Sequence, residues 1–142
     1  MFGTKEGSKE SLYILGETLK PMLTNDMGSG IEIFDTSGPT GGGPPTHKHA
    51  WEEIYVVTKG KLQVTVAGES RVLEPGEFAH VPANTPHSYL TIEDAEFLTI
   101  VTKGNASKFF RHLARDVPMN PPDIPGVIRV GSEHGIEFLP PA

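Results

Sequence analysis

Two histidines separated by one residue, His47 and His49, are a natural starting point for chemistry in this chain. In an extended strand, residues i and i+2 share a face with their backbones roughly 6.6 Å apart, a spacing that lets two imidazoles converge on one ion. Glu53 has the same parity, yet on a straight strand it would lie roughly 13 Å beyond His49, too far to share a metal bound at about 2 Å. For Glu53 to join them, the chain must turn within Ala50-Trp51-Glu52, so that Glu53 opens the next strand. His87 follows the turn-forming run Pro82-Ala83-Asn84-Thr85-Pro86, and closure of a barrel would carry it inward from a distant strand. If His47 and His49 merely decorated a loop, the joint placement of Glu53 and His87 would have no explanation.

Composition narrows what such a site can be. The 142 residues contain no cysteine, so neither disulfides nor a thiolate-ligated zinc is possible, and any metal falls to His, Asp or Glu. A cysteine-free chain fits a reducing compartment. The N-terminal Met1-Phe2-Gly3-Thr4-Lys5-Glu6 mixes both charge signs and leads into no long apolar run, so neither a signal peptide nor a membrane span is expected, and a cytoplasmic location is. A formal net charge of -6 with no basic run argues against nucleic acid as a partner. The length suits one domain over residues 1–142, with a core at about 31–102 and an extension at about 104–142.

The elements that must position these side chains are short and mostly extended. Strands are predicted at residues 11–15, 31–36, 54–58 and 61–67, the last two joined by a tight hairpin at Lys59-Gly60. Leu62, Val64 and Val66 alternate with polar neighbours, which buries one face. Further strands are expected at 71–73, 77–81, 87–92 and 96–102, with a glycine-rich loop over 39–45. Seven or eight strands at this spacing describe an all-β sandwich or closed barrel. From Gly104 onward the pattern changes. Phe109, Phe110 and Leu113 have the spacing of a short amphipathic helix capped by Asn105 or Ser107, and Asp123 is placed to cap a second helix that ends before Gly135. These helices are expected to cover a sheet face, with crossing the barrel mouth or supporting a dimer as alternatives.

The same residues resemble a known family. Gly41-x5-His47-x-His49-x3-Glu53-x6-Gly60 reproduces the first cupin motif, and Gly76-x5-Pro82-x-Asn84-x2-His87 resembles the second. Two departures stand out: Asn84 occupies a position that is usually glycine, and Thr91 one that is usually asparagine. Asn tolerates left-handed backbone better than most residues, so Asn84 is a workable substitute. The resemblance implies a double-stranded β-helix, the jelly-roll barrel of the cupins, followed by short C-terminal helical segments. It also implies one metal ion held by His47, His49, Glu53 and His87. Imidazole and carboxylate suit Fe, Mn, Ni, Co, Cu or Zn better than Ca or Mg.

Open coordination positions on such an ion would take water, a small organic substrate or dioxygen. The resemblance is strongest to quercetinase-like monocupins, through the motifs, Phe109-Phe110 and the closing residues 135–141. It implies a dioxygenase acting on a phenolic or enolic substrate, with Glu53 as ligand or as base for the hydroxyl proton. A metal-dependent polyketide cyclase or isomerase and a non-catalytic small-ligand-binding cupin are the alternatives. Trp51, Tyr55, Phe78, Tyr89 and Phe97 are candidates to line an apolar pocket, core packing being the competing role, and His80 is a candidate acid, base or outer partner of the metal. Glu52, His112 and His134 are expected at the surface. A homodimer is expected, paired through the segment Tyr13-Ile14-Leu15.

Overall fold

A computed structural model describes residues 1–140; Pro141, the last of the closing residues singled out above, lies outside them. Nine strands form one curled antiparallel sheet among the described residues: β1 (Leu12–Ile14), β2 (Glu17–Leu23), β3 (Glu32–Gly38), β4 (His47–Lys48), β5 (Glu53–Val66), β6 (Glu69–Leu73), β7 (Phe78–Val81), β8 (His87–Val101) and β9 (Glu137–Phe138). The helices α1 (Ala106–Asp116) and α2 (Ile124–Glu133) lie between β8 and β9 in sequence. Among the described residues, no helix is long and apolar enough to cross a membrane.

The sheet is organised around β5 and β8. They pair along their whole length, from Glu53 opposite Val101 to Val66 opposite His87. The far edge of β8 holds β3 along its C-terminal half and β4 at its start, where His47 and His87 are direct cross-strand neighbours. The far edge of β5 holds β7 and β6 in turn. The hairpin expected at Lys59-Gly60 is not there: β5 runs straight through, as β8 runs through residues 93–95. The polar interruption is instead a series of register shifts between Val57 and Leu62 that bends the long ribbon. Gly60 takes φ 75°, and a Cβ at that position would lie 2.0 Å from the Asp94 carbonyl oxygen. Glycine is therefore required by the close approach of β8, not by a turn.

Strand β2 has no counterpart in the sequence reading. Pro21 removes a ladder donor at a bulge, and the buried Glu17 breaks the apolar alternation that would reveal the strand. The interior has two apolar clusters. One lies inside the barrel, with Tyr55, Val57, Leu62, Val64 and Phe97; the other joins Phe34, Trp51 and Val101 to Phe109, Leu113 and Val127 of the helices. Neither Asn105 nor Ser107 caps α1 with its side chain. Glu32, buried on β3, accepts from Ser107 N–H at 3.1 Å and from Asn25 N–H at 3.0 Å, so a sheet carboxylate fixes the start of the helix. Asp123 caps α2 by accepting from Gly126 N–H at 3.2 Å, and Gly131 lets α2 approach the Phe138 ring.

Candidate metal centre and cavity

The chain turns at residues 50–52, and Glu53 is the first residue of β5. His87 opens β8 directly after the Pro82–Pro86 turn, where Asn84 adopts φ 56° and donates its N–H to the His49 carbonyl at 2.7 Å. These placements bring ligating atoms of His47, His49, Glu53 and His87 within 4.8 Å of one another. Glu53 Oε2 lies 2.9 Å from His49 Nε2 and 3.2 Å from His87 Nε2. His49 is stacked on Trp51 at 4.3 Å, and the rings of His47 and His87 are 4.2 Å apart.

All three imidazoles are held in the same way. Nδ1 of His47 meets the Pro45 carbonyl at 2.8 Å, that of His49 the Trp51 carbonyl at 2.9 Å, and that of His87 the Thr85 carbonyl at 2.8 Å. A carbonyl only accepts, so each Nδ1 carries a proton and Nε2 is the atom each ring has left for the centre. Nε2 of His49 at 2.9 Å from a carboxylate oxygen calls for a cation between them, a proton or a metal ion. Three imidazoles and one carboxylate, each imidazole tied down through its other nitrogen, match the donor set and outer support of a transition-metal site.

Electrostatics agree with that arrangement. Burial, helped by the nearby His87, lowers the His47 pKa to about 4, so its ring is neutral at pH 7. Burial by itself would raise the Glu53 pKa, but a proton shared with Nε2 of His49 or His87, and the positive charge it brings, holds it below the ordinary carboxylate range; a metal ion in the proton's place would act in the same direction. Burial and the Glu53 charge raise the phenol of Tyr55 well above its usual value, so it stays protonated.

The family follows from this geometry together with the wider comparisons. Residues 36–101 match the family described as the cupin domain. The structure of an RmlC-like cupin from Shewanella frigidimarina superposes with a TM-score of 0.67 at 18% identity, covering 75% of this chain and 94% of that one. The chain carries a cupin domain over residues 36–101. The polyketide cyclase RemF from Streptomyces resistomycificus shares this cupin's fold, with a TM-score of 0.58 at 18% identity over 69% of this chain and 74% of its own. Quercetin 2,3-dioxygenase from Bacillus subtilis is 32% identical over 102 residues, which cover 69% of the cupin and 30% of the relative. The cupin thus spans about a third of the length of that dioxygenase.

Beside the four residues lies a cavity of about 70 Å³. Tyr55 and Tyr89 form part of its wall, and α1, α2 and the C-terminal segment complete it with Phe109, Leu113, Val127 and Phe138. The helices therefore wall the cavity as well as packing against Phe34, Trp51 and Val101. Other residues proposed for the pocket sit elsewhere. Phe78 is 66% exposed on the outer face of β7, because its parity there is opposite to that of the buried Val81. His80 shares that outer face and pairs with Glu52 at 2.8 Å, so it lies away from the four residues. Trp51 packs behind His49 against Gly104, and Phe97 lies behind Tyr55 and Tyr89 as core. His112 and His134 meet between the helices at 2.9 Å.

Sequence reasoning missed Glu17. It lines the cavity from β2, is 7% exposed, and accepts from the Tyr89 hydroxyl at 2.5 Å. Burial raises its pKa to about 7 despite that bond. Its second oxygen, Oε2, is buried with no hydrogen-bond partner among the described residues, a state that costs about 1–3 kcal/mol. The available signal was its parity with the buried Leu19.

Proposed function

We propose that this cupin is a metal-dependent enzyme in which His47, His49, Glu53 and His87 hold one divalent transition-metal ion and a small phenolic or enolic substrate reacts with dioxygen in the adjoining cavity. The observation that carries the reading is the common tether of the three imidazoles through Nδ1, which leaves Nε2 of each ring available, with ligating atoms of all four residues within 4.8 Å of one another. Bound there, the ion would supply a Lewis acid that acidifies a substrate hydroxyl and a position for dioxygen. Glu53 is placed to accept the hydroxyl proton, Tyr55 remains a neutral donor beside it, and the apolar walls keep bulk water out. Likeness to a quercetin dioxygenase supports the oxygen-dependent chemistry.

Cavity size bears on the substrate. A cavity of about 150 Å³ accepts benzene; at about 70 Å³ this one is smaller, so a ring enters only as α1 or α2 gives way, and a single ring or a small enol asks for less displacement than a flavonol. Glu17 favours a second reading, an isomerase or cyclase, because a buried carboxyl near neutral pKa can hold and return a proton without oxygen. The test is metal analysis of protein purified without chelator or immobilised-metal resin, followed by oxygen-electrode assays with single-ring enols, phenols and flavonols. Oxygen uptake that depends on the bound metal is expected. Equal turnover under argon would transfer the case to the isomerase or cyclase, and metal-free protein would end both.

A further inference from the structure

The metal-enzyme reading uses one end of the cavity and leaves Glu17 and Tyr89 without a role. An apolar residue would serve the fold better at position 17, since its neighbour of the same parity is Leu19 and the wall around it includes Ile14 and Leu15. The chain instead holds a carboxyl there. Its Oε1 is fixed by the Tyr89 hydroxyl at 2.5 Å, and no Lys, Arg or His pairs with it among the described residues. Oε2 is buried, unpartnered and seated against Gly38, where a Cβ would come within 2.8 Å of it. A side chain at residue 38 would have to displace this carboxyl.

We propose that Glu17, braced by Tyr89, is a second polar anchor of the cavity that recognises a hydroxyl of the substrate distinct from the oxygen atoms meeting the metal; this rests on the metal-enzyme reading above. The substrate class narrows accordingly to single-ring phenols or small enols that carry a further hydroxyl. Near neutral pH the Glu17 carboxyl is present both as acid and as carboxylate, so it can donate to that hydroxyl or accept from it. Hydrogen bonds to ionised groups are strong enough to give roughly tenfold discrimination or more.

The experiment loads the full chain with redox-inert Zn²⁺ and titrates it calorimetrically, under argon, with catechol, 1,2,3-trihydroxybenzene and 1,2,4-trihydroxybenzene. Wild type is expected to bind one trihydroxybenzene at least about tenfold more tightly than catechol. The double variant Glu17→Leu/Tyr89→Phe, which leaves no orphaned hydroxyl, is expected to lose that preference while keeping its zinc content. Glu17→Gln, nearly unchanged in shape, serves as a second variant and is expected to lose part of the preference. Zinc-dependent binding without any preference in wild type, or with the same preference in both variants, overturns the anchor alone. Absence of zinc-dependent binding by all three compounds overturns the metal-site reading and the anchor with it.

Discussion

Three imidazoles with their Nδ1 protons on main-chain carbonyls, Nε2 of His49 and of His87 facing Glu53, set the chemistry at the scale of single residues. His49→Ala or His87→Ala is expected to remove most bound metal, measured by elemental analysis, while the far-ultraviolet circular dichroism of the barrel persists. Glu53→Gln keeps the shape but cannot take a proton, so turnover is expected to fall by ~10²–10⁴-fold with little change in thermal stability. Wild-type rates in that variant would remove Glu53 from the mechanism. Glu17 makes a prediction about pH. Its folded pKa of about 7 lies above the unfolded carboxylate value, so the folded chain holds this proton more tightly. The stability it contributes is complete below about pH 4.5, and is lost as pH rises to about 7. Glu17→Gln removes that loss, and its gain over wild type in urea unfolding is expected to grow from near zero at pH 4.5 to as much as about 3 kcal/mol above pH 7.

Strand β5 with its bend is the element on which the site depends. Glu53 and His87 sit at opposite ends of the β5–β8 ribbon, since Glu53 pairs with Val101 and His87 lies fourteen residues before it. On a flat ribbon that separation would be about 46 Å. Their side chains nevertheless meet at 3.2 Å, because the register shifts around Gly60 fold the ribbon on itself. Gly60→Ala would combine a left-handed backbone with a Cβ overlapping the Asp94 carbonyl. It is expected to cost more than about 2 kcal/mol in chemical unfolding and to lower metal occupancy with it. A variant of wild-type stability and full occupancy would show that the bend tolerates a side chain. Two other elements matter to the cavity: α1, fixed at its start by Glu32, and α2, brought close by Gly131, together place the apolar lid.

At the scale of the whole molecule, β1 is the outer strand of its side of the sheet and pairs, among the described residues, with β2 alone. An unpaired strand edge is a template for another chain. Ile14 and Leu15 turn into their own core and cavity, so an interface here would use the backbone edge and the half-exposed Tyr13. We expect a homodimer paired along β1, and light scattering across a dilution series checks it; a monomer mass at every micromolar concentration would exclude the pairing.

The sequence by itself determined the four residues that can meet at a metal, because their types and order within two blocks are local properties, and it required the turn before Glu53 on distance alone. It also made Asn84 a workable replacement for glycine, as its left-handed backbone shows, and it located both helices from apolar spacing and the Asp123 cap. The tertiary structure decided the rest. Whether Lys59-Gly60 is a hairpin or a bend depends on the strand lying beside it, since a positive-φ glycine serves either. Which aromatics face the cavity depends on which side of each strand is covered, so Phe78 and Tyr89 look alike in sequence and part company in the fold. Glu17 acquires its meaning only when β2, hidden in sequence by Pro21 and by Glu17 itself, brings it beneath Tyr89, 72 residues further along the chain. Side-chain chemistry is written locally, whereas burial, the cause of that carboxyl's altered acidity, is a property of everything packed around it.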